Sequence, residues 1–404
     1  MKRLLMVVHR LPYPPDKGER VRAFHELKAL SPHFRITLAA LSHGATDQAA
    51  REAFGQWCET ILTVPAGGLL GLVRGGLSLL AGGSVTEGYF RSRRLSRLVA
   101  TEARRSPFDL VFAYSSGVLP LALAAAAPVT VMDLVDVDSA KWASYAERAR
   151  WPMGWVYARE ARGVQALERR AVERCQAVLL VSEAETRALG LASDKLIAVG
   201  NGVDTEYFRA VEGAEAGAPP SLVFTGTMDY RPNIEGVCWF VGQVWPAVRR
   251  ELDGATFTIV GRDPAPAVRR LAETPGVVVT GSVSDVRPYL GRATVAIAPL
   301  WIARGVQNKV LEAMAMARAV IGTPAALEGL DVTPGENVLR AESVDEWRRT
   351  IVDLCRDAPR RASLGRAARQ CVLDRYSWDA RMKPLVDLCL TATAKGKGRR
   401  NGEL

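Results

Sequence analysis

The sequence contains no C-x-x-C pair. Its six cysteines, Cys58, Cys175, Cys238, Cys355, Cys371 and Cys389, are scattered along 404 residues. That spacing argues against a zinc framework and against a disulfide scaffold. Histidine is scarce too: only His9, His25, His33 and His43 occur, none with the paired spacing of metal ligands. No metal site is expected. G-x-S-x-G, G-x-x-x-x-G-K-S/T and G-x-G-x-x-G are all missing, so serine-hydrolase, P-loop and NAD fingerprints are excluded. No run reaches the roughly 18 apolar residues of a membrane span. The nearest approach, GGLLGLVRGGLSLLAGG at 67–83, is rich in glycine and broken by Arg74. It reads as a loop with a surface helix; the other reading is a shallow membrane-contacting helix. Residues 1–3 run straight into a strand-like segment with no cleavage site behind it, so no signal peptide is read. With the unpaired cysteines, this predicts a cytoplasmic protein.

What is present is ordinary in bulk. Hydrophobic residues make up 48% and charged residues 24%, as in a soluble globular enzyme. The length suits two domains of roughly 150–200 residues each. The net charge of +10 reads either as a solvated basic surface or as a preference for anionic partners: nucleic acid, anionic lipid or phosphorylated substrates. No aromatic–basic platform supports nucleic acid. The basic clusters at 91–105 and 148–174 suit an anionic membrane surface, which would place the chain at the inner face of the cytoplasmic membrane.

The first half alternates short apolar runs with helical stretches. Residues 4–9, 36–41, 60–65, 110–113, 129–133 and 177–182 read as buried strands. Residues 18–30, 119–127 and 153–175 read as helices. The pattern restarts after the turn Asn201-Gly202 and the small-residue linker 212–220. Strands are expected at 221–225, 256–260, 277–280, 294–298 and 319–321. Amphipathic helices follow at 347–355, 360–371 and 378–390. The predicted class is α/β: two Rossmann-like doubly wound domains facing across a cleft, with C-terminal helices packing back. The predicted divisions are 1–195, 196–375, a crossover helix at 376–393 and a disordered basic tail at 394–404.

The segment 298–324, APLWIARGVQNKVLEAMAMARAVIGTP, is richest in chemistry. Gly305 opens a helix, where free backbone N–H groups and the helix dipole favour phosphate. Lys309 adds a positive charge within the first turn or so. Glu312, further along, suits the vicinal hydroxyls of a ribose. An ordinary amphipathic helix with Val310, Leu311 and Met314 in the core fits the same spacing. The loop FTGTMDYRPN, 224–233, ends a strand; Gly226 permits close approach, and Arg231 is either a surface arginine or a partner for a diphosphate.

GVQNKVLEAMAMARAV resembles the donor-site segment of glycosyltransferase family 4, the retaining, two-lobed GT-B class. Glu312 matches that family's second glutamate, which implies ribose recognition. Eight positions earlier, where the family carries a glutamate contacting the transferred sugar, stands Arg304. VGNGVDTEYF, 199–208, is similar to the NGVD-x-x-x-F segment at the start of the second lobe. There Asp204 is expected to cap and Phe208 to anchor. In the family the Gly226 loop lies beside the donor phosphates, and the loop carrying Gly18 faces them from the first lobe. HRLPYPPDKGER, MDLVDVDSAKW and RGVQNKVLEAMAM together resemble the sugar transferases of PEP-CTERM/exosortase exopolysaccharide systems.

The resemblance implies a hexosyltransferase-type enzyme with no cofactor. A nucleoside-diphosphate sugar is its co-substrate, and the acceptor is a glycan or a polyprenyl-diphosphate-linked intermediate. Donor-binding residues would be Gly18, Gly226, Arg231, Arg304, Gly305, Lys309 and Glu312, with Arg231 and Lys309 also catalytic. Asp133, Asp136 or Asp138 would line the acceptor side, and Asp136 is taken as the catalytic one; a strand-end helix cap is the alternative. A nucleotide-sugar epimerase on the same architecture is the competing enzyme class. A basic nucleic-acid-binding protein ranks last.

Overall fold

In the computed structural model the chain forms two compact units. One is Met1–Asn201 together with Arg381–Leu404; the other is Gly202–Ala380. The structure describes residues 1–15, 18–42, 47–209, 219–303 and 306–400.

The first unit is built on seven strands: β1 (Lys2–Val8), β2 (Phe34–Ser42), β3 (Cys58–Pro65), β4 (Leu110–Tyr114), β5 (Val129–Val135), β6 (Ala177–Leu180) and β7 (Leu196–Ala198). All pair in parallel, in the order β3-β2-β1-β4-β5-β6-β7. Continuous apolar runs such as LLMVV in β1 explain this. Leu4, Leu5, Met6, Val7 and Val8 are all buried, as strands covered by helices on both faces must be.

The second unit repeats the plan with β8 (Ser221–Thr225), β9 (Thr256–Val260), β10 (Val277–Gly281), β11 (Val295–Ala298), β12 (Ala319–Gly322) and β13 (Leu339–Arg340). These are again parallel, in the order β10-β9-β8-β11-β12-β13. Its core is aromatic. Phe240 packs on Phe257 at 5.0 Å and on Trp347 at 5.7 Å between ring centroids. Trp245 is buried with its indole N–H donating to Pro275 O at 3.1 Å. Each such side chain contributes roughly 1.5–3 kcal/mol of burial.

The NGVD segment falls where the two units divide, between Asn201 and Gly202. The side-chain oxygen of Asn201 accepts from Arg22 Nη1 at 2.9 Å. A Cβ on Gly202 would lie 2.6 Å from Trp378 Cα, so only glycine lets the backbones approach this closely. The Asp204 carboxylate accepts from the N–H of Glu206 and Tyr207, which is the predicted cap. Phe208 packs against the core of the second unit.

The C-terminal helix spans Trp378–Arg400, and from Arg381 it belongs to the first unit. Met382, Leu385 and Cys389 are buried. A disordered tail was expected over 394–404; the helix runs to Arg400, and 401–404 lie outside the described residues. Among the described residues no helix is long and apolar enough to cross a membrane.

Candidate active site

In a doubly wound sheet, strands that run outward from a central pair leave a crevice at their carboxyl ends. In the second unit that pair is β8 and β11. A cavity of about 520 Å³ lies beside it. Its walls come from the ends of β8, β9 and β10, from Tyr207 and Phe208, and from the start of the helix Asn308–Ala315.

Two glycines set its shape. A Cβ on Gly261 would lie 1.6 Å from Gly226 O, so the loops after β8 and β9 touch backbone to backbone. A Cβ on Gly226 would lie 2.8 Å from Asn233 Nδ2 and 3.2 Å from Lys309 Nζ. Glycine there keeps open the space that a polar pair occupies. Lys309 Nζ donates to Asn233 Oδ1 at 2.6 Å, and Asn233 Nδ2 donates to Thr227 O at 2.8 Å. Asn233 is only 3% exposed. It ties the Gly226 loop to the lysine.

The ammonium also sits 4.6 Å from the centroid of the Phe224 ring. Burial pushes the Lys309 pKa down to about 8, against the pull of Glu312. Burial pushes the Glu312 carboxyl up, opposed by Lys309. Both line the cavity, yet they make no close ion pair with each other. Lys309 uses one of its three N–H donors among the described residues. No side chain caps the helix start at Gln307; the Val310 amide donates back to Gln307 O at 3.0 Å. A desolvated cation and a desolvated carboxyl at one helix start, in one crevice, can hold a polar, partly anionic ligand.

Of the residues singled out in the sequence, the structure gathers Gly226, Lys309 and Glu312 here. Arg304 and Gly305 lie outside the described residues. Arg231 begins the helix Arg231–Trp239 and does not line the cavity. Its side chain is 87% exposed and bonds Glu235 at 2.6 Å. Among the described residues the arginine on the cavity wall is Arg262, just past β9. Asp285 is also on the wall, locked by Arg287 at 2.7 Å; Arg287 stacks on Tyr207 at 3.8 Å. Asn233 and Asp285 escaped the sequence reading as site residues, whereas Gly261-Arg262 resembles the family's loop near the base. Arg262 had a strand-end position as its signal, just past β9; Asn233 sits in the first turn of the helix Arg231–Trp239 and carried none.

The remaining expected residues belong to the first unit. Gly18 opens the helix Gly18–Leu30 after β1. Asp136 is exposed just past β5. Partial burial of its carboxyl, with Glu185 and Asp138 nearby, raises its pKa. Asp133 does not line an open surface. It is fully buried, bonded to Arg22 at 2.7 Å and to the Val135 N–H at 2.8 Å. Asp138 lies in the first turn of the helix Asp138–Arg148, while Val137 holds the cap position. The Val137 and Ser139 amides are taken instead by Glu185 and Glu168.

Residues 219–357 match the family described as glycosyl transferases group 1. The second unit carries a glycosyltransferase domain. The enzyme class predicted from the sequence, glycosyltransferase, holds on this match. No curated protein matches the sequence. Solved structures resemble the whole chain. Sucrose-phosphate synthase from Thermosynechococcus elongatus is 14% identical with a TM-score of 0.59, covering 98% of this chain and 100% of that one. A glycosyltransferase from Rickettsia africae is 14% identical with a TM-score of 0.60, covering 97% and 98%. HepE from Anabaena, solved in complex with UDP, is 15% identical with a TM-score of 0.59, covering 97% and 100%. At these identities the likeness establishes the fold: two Rossmann-like units of the GT-B type.

Proposed function

We propose that the enzyme is a retaining, hexosyl-type glycosyltransferase. It moves a sugar from a nucleoside-diphosphate donor to a glycan or a polyprenyl-diphosphate-linked acceptor, in exopolysaccharide synthesis of the PEP-CTERM kind. It works in the cytoplasm, at the inner face of the membrane. The observation that carries the donor reading is the pair Lys309 and Glu312 at one helix start on the cavity wall, with Lys309 held by Asn233. The diphosphate sits against the helix amides and Lys309, and Arg262 reaches it from the β9 loop. Glu312 accepts the ribose hydroxyls. The HepE complexes with UDP and with UDP-glucose support a nucleotide-sugar donor on this fold.

Catalysis is positioning and charge stabilisation. As the bond from sugar to diphosphate breaks, negative charge builds on the leaving diphosphate, where Lys309 meets it. Asp136 orients the acceptor hydroxyl or takes its proton; its raised pKa suits that role. Glu312→Ala tests the assignment. Calorimetry against nucleotide sugars is expected to show binding at least about 100-fold weaker, since two hydrogen bonds to a charged group are lost. The unfolding transition stays in place. Unchanged affinity overturns the assignment.

A further inference from the structure

The helix Gly68–Leu80 is built inside out. Its buried residues are Gly71, Gly75 and Leu79. A Cβ on Gly71 would lie 3.1 Å from the Tyr89 ring, and one on Gly75 would lie 2.8 Å from Val85 Cγ1. On the facing helix Val85–Phe90, a Cβ on Gly88 would lie 2.6 Å from Arg74 O. Glycines therefore let the two backbones meet, and the large side chains face outward. Leu69 is 77% exposed, and Leu70, Leu72, Val73, Leu77 and Leu80 are exposed with it. A water-facing helix shows the reverse pattern, and six clustered apolar side chains exceed normal surface scatter.

Two other features share this surface. Trp151, 86% exposed, and Trp155 stand at the start of the helix Met153–Arg174. Arg159 stacks on Trp155 at 5.9 Å and donates to Leu79 O at 3.0 Å, tying them to the end of the leucine helix. A cavity of about 680 Å³ beside Leu77 is walled by Arg74, Arg91, Arg93 and Arg94. All four arginines are exposed. None is recorded in an ion pair among the described residues.

We propose that this surface docks the enzyme on an anionic lipid bilayer. The leucines enter the acyl boundary, the tryptophans sit at the interface and the arginines meet headgroup phosphates. At 1.5 Å per residue the helix is about 20 Å long, too short to span, so it lies in the membrane plane. A second copy of the chain is a poor occupant. A two-fold contact through this patch brings like-charged arginine clusters together. The proposal deepens the reading of a lipid-linked acceptor, and its test uses neither donor nor acceptor, so each can fail alone.

The test is flotation of the full chain with phosphatidylcholine vesicles, with and without one quarter phosphatidylglycerol. The wild type floats with the anionic vesicles and much less with the neutral ones. Leu70→Asp with Leu77→Asp loses flotation while keeping its melting temperature. Arg93→Glu with Arg94→Glu weakens anionic-vesicle binding by roughly 25-fold or more. No flotation of the wild type, or undiminished flotation of both variants, overturns the proposal. So does a wild-type dimer in light scattering that the leucine substitutions split, without flotation; a second copy is then the occupant.

Discussion

Both units place charged side chains near the carboxyl ends of a parallel sheet, and they use them in opposite ways. In the first unit Arg22, Glu26 and Asp133 are sealed from solvent. Arg22 meets Glu26 at 3.0 Å and Asp133 at 2.7 Å, and it also donates to Val199 O at 2.8 Å. Burial first, and then Asp133, pushes the Glu26 carboxyl well above the usual range, with Arg22 opposing. One arginine between two carboxyls balances one negative charge, the upward push on Glu26 favours its neutral form, and the cluster is closed. In the second unit Lys309, Glu312 and Arg262 line a cavity with bonding capacity unspent. The same architecture yields a closed joint in one half and an open, charged crevice in the other. The difference is whether the protein itself supplies the counter-charges.

The largest expected effect tests the closed cluster. Asp133→Ala leaves the Arg22 guanidinium buried without its main partner. Breaking a buried pair this way costs about 3–5 kcal/mol, read as a lower midpoint in denaturant unfolding. Glu26→Gln retains a neutral side chain that can donate, and should cost under about 1 kcal/mol. The pH dependence follows from the sign. The folded pKa of Glu26 is raised, so its contribution is complete below the unfolded value and is lost as pH rises through the folded one. Glu26→Gln therefore flattens the loss of stability on the high-pH side of the unfolded carboxyl value. A Gln variant as damaged as Asp133→Ala would mean that Glu26 is charged and the cluster is not closed.

The next effect tests the open site. Lys309→Met should lower kcat/KM by about 100-fold or more, because charge stabilisation at the leaving group is lost. Its folded stability should hold, or rise by about 1 kcal/mol, because a desolvated ammonium is removed. The lysine titrates at about 8 in the folded chain, below its ordinary value. The unfolded chain then binds more protons between these two values, so stability climbs with pH across that window in the wild type and not in the variant. Donor affinity, which needs the charged form, declines as pH passes about 8. Destabilisation of Lys309→Met by several kcal/mol would make Lys309 another Arg22, and the contrast between the units would fail.

The strands were legible wherever short apolar runs were bounded by turn residues. β8 and β9 fall at their predicted limits, Ser221–Thr225 and Thr256–Val260. β7 and β13 are three and two residues long, too short to carry a period. Within the site, Gly226, Lys309 and Glu312 were readable because strand ends and helix starts announce themselves locally. Asn233 and Asp285 were not, because their places depend on the crossing of strand order that brings three separate loops to one wall. Arg22 was not legible either: its partner Asp133 lies 111 residues away, and no local pattern shows that.

The smallest expected effect separates two arginines. Arg231 is solvated and paired with Glu235 four residues on; an exposed pair of this kind is worth well under about 1 kcal/mol. Arg262 is also exposed, with Asp263 at 3.8 Å, yet it stands on the cavity wall. Its guanidinium can turn to a diphosphate without breaking a buried contact. Arg262→Ala should weaken nucleotide-sugar binding by about 10-fold, the loss of one charge-assisted hydrogen bond. Arg231→Ala should leave affinity within about 2-fold, and both variants should unfold as the wild type does. Calorimetry at low and moderate salt reads the difference directly, since a lost contact between charges also reduces the salt dependence. The reverse ranking would show that the loop after β8 swings onto the donor when it binds. Exposure in the unliganded chain would then be a poor guide to which arginine meets the phosphates, and the site would be completed by its ligand instead of waiting formed.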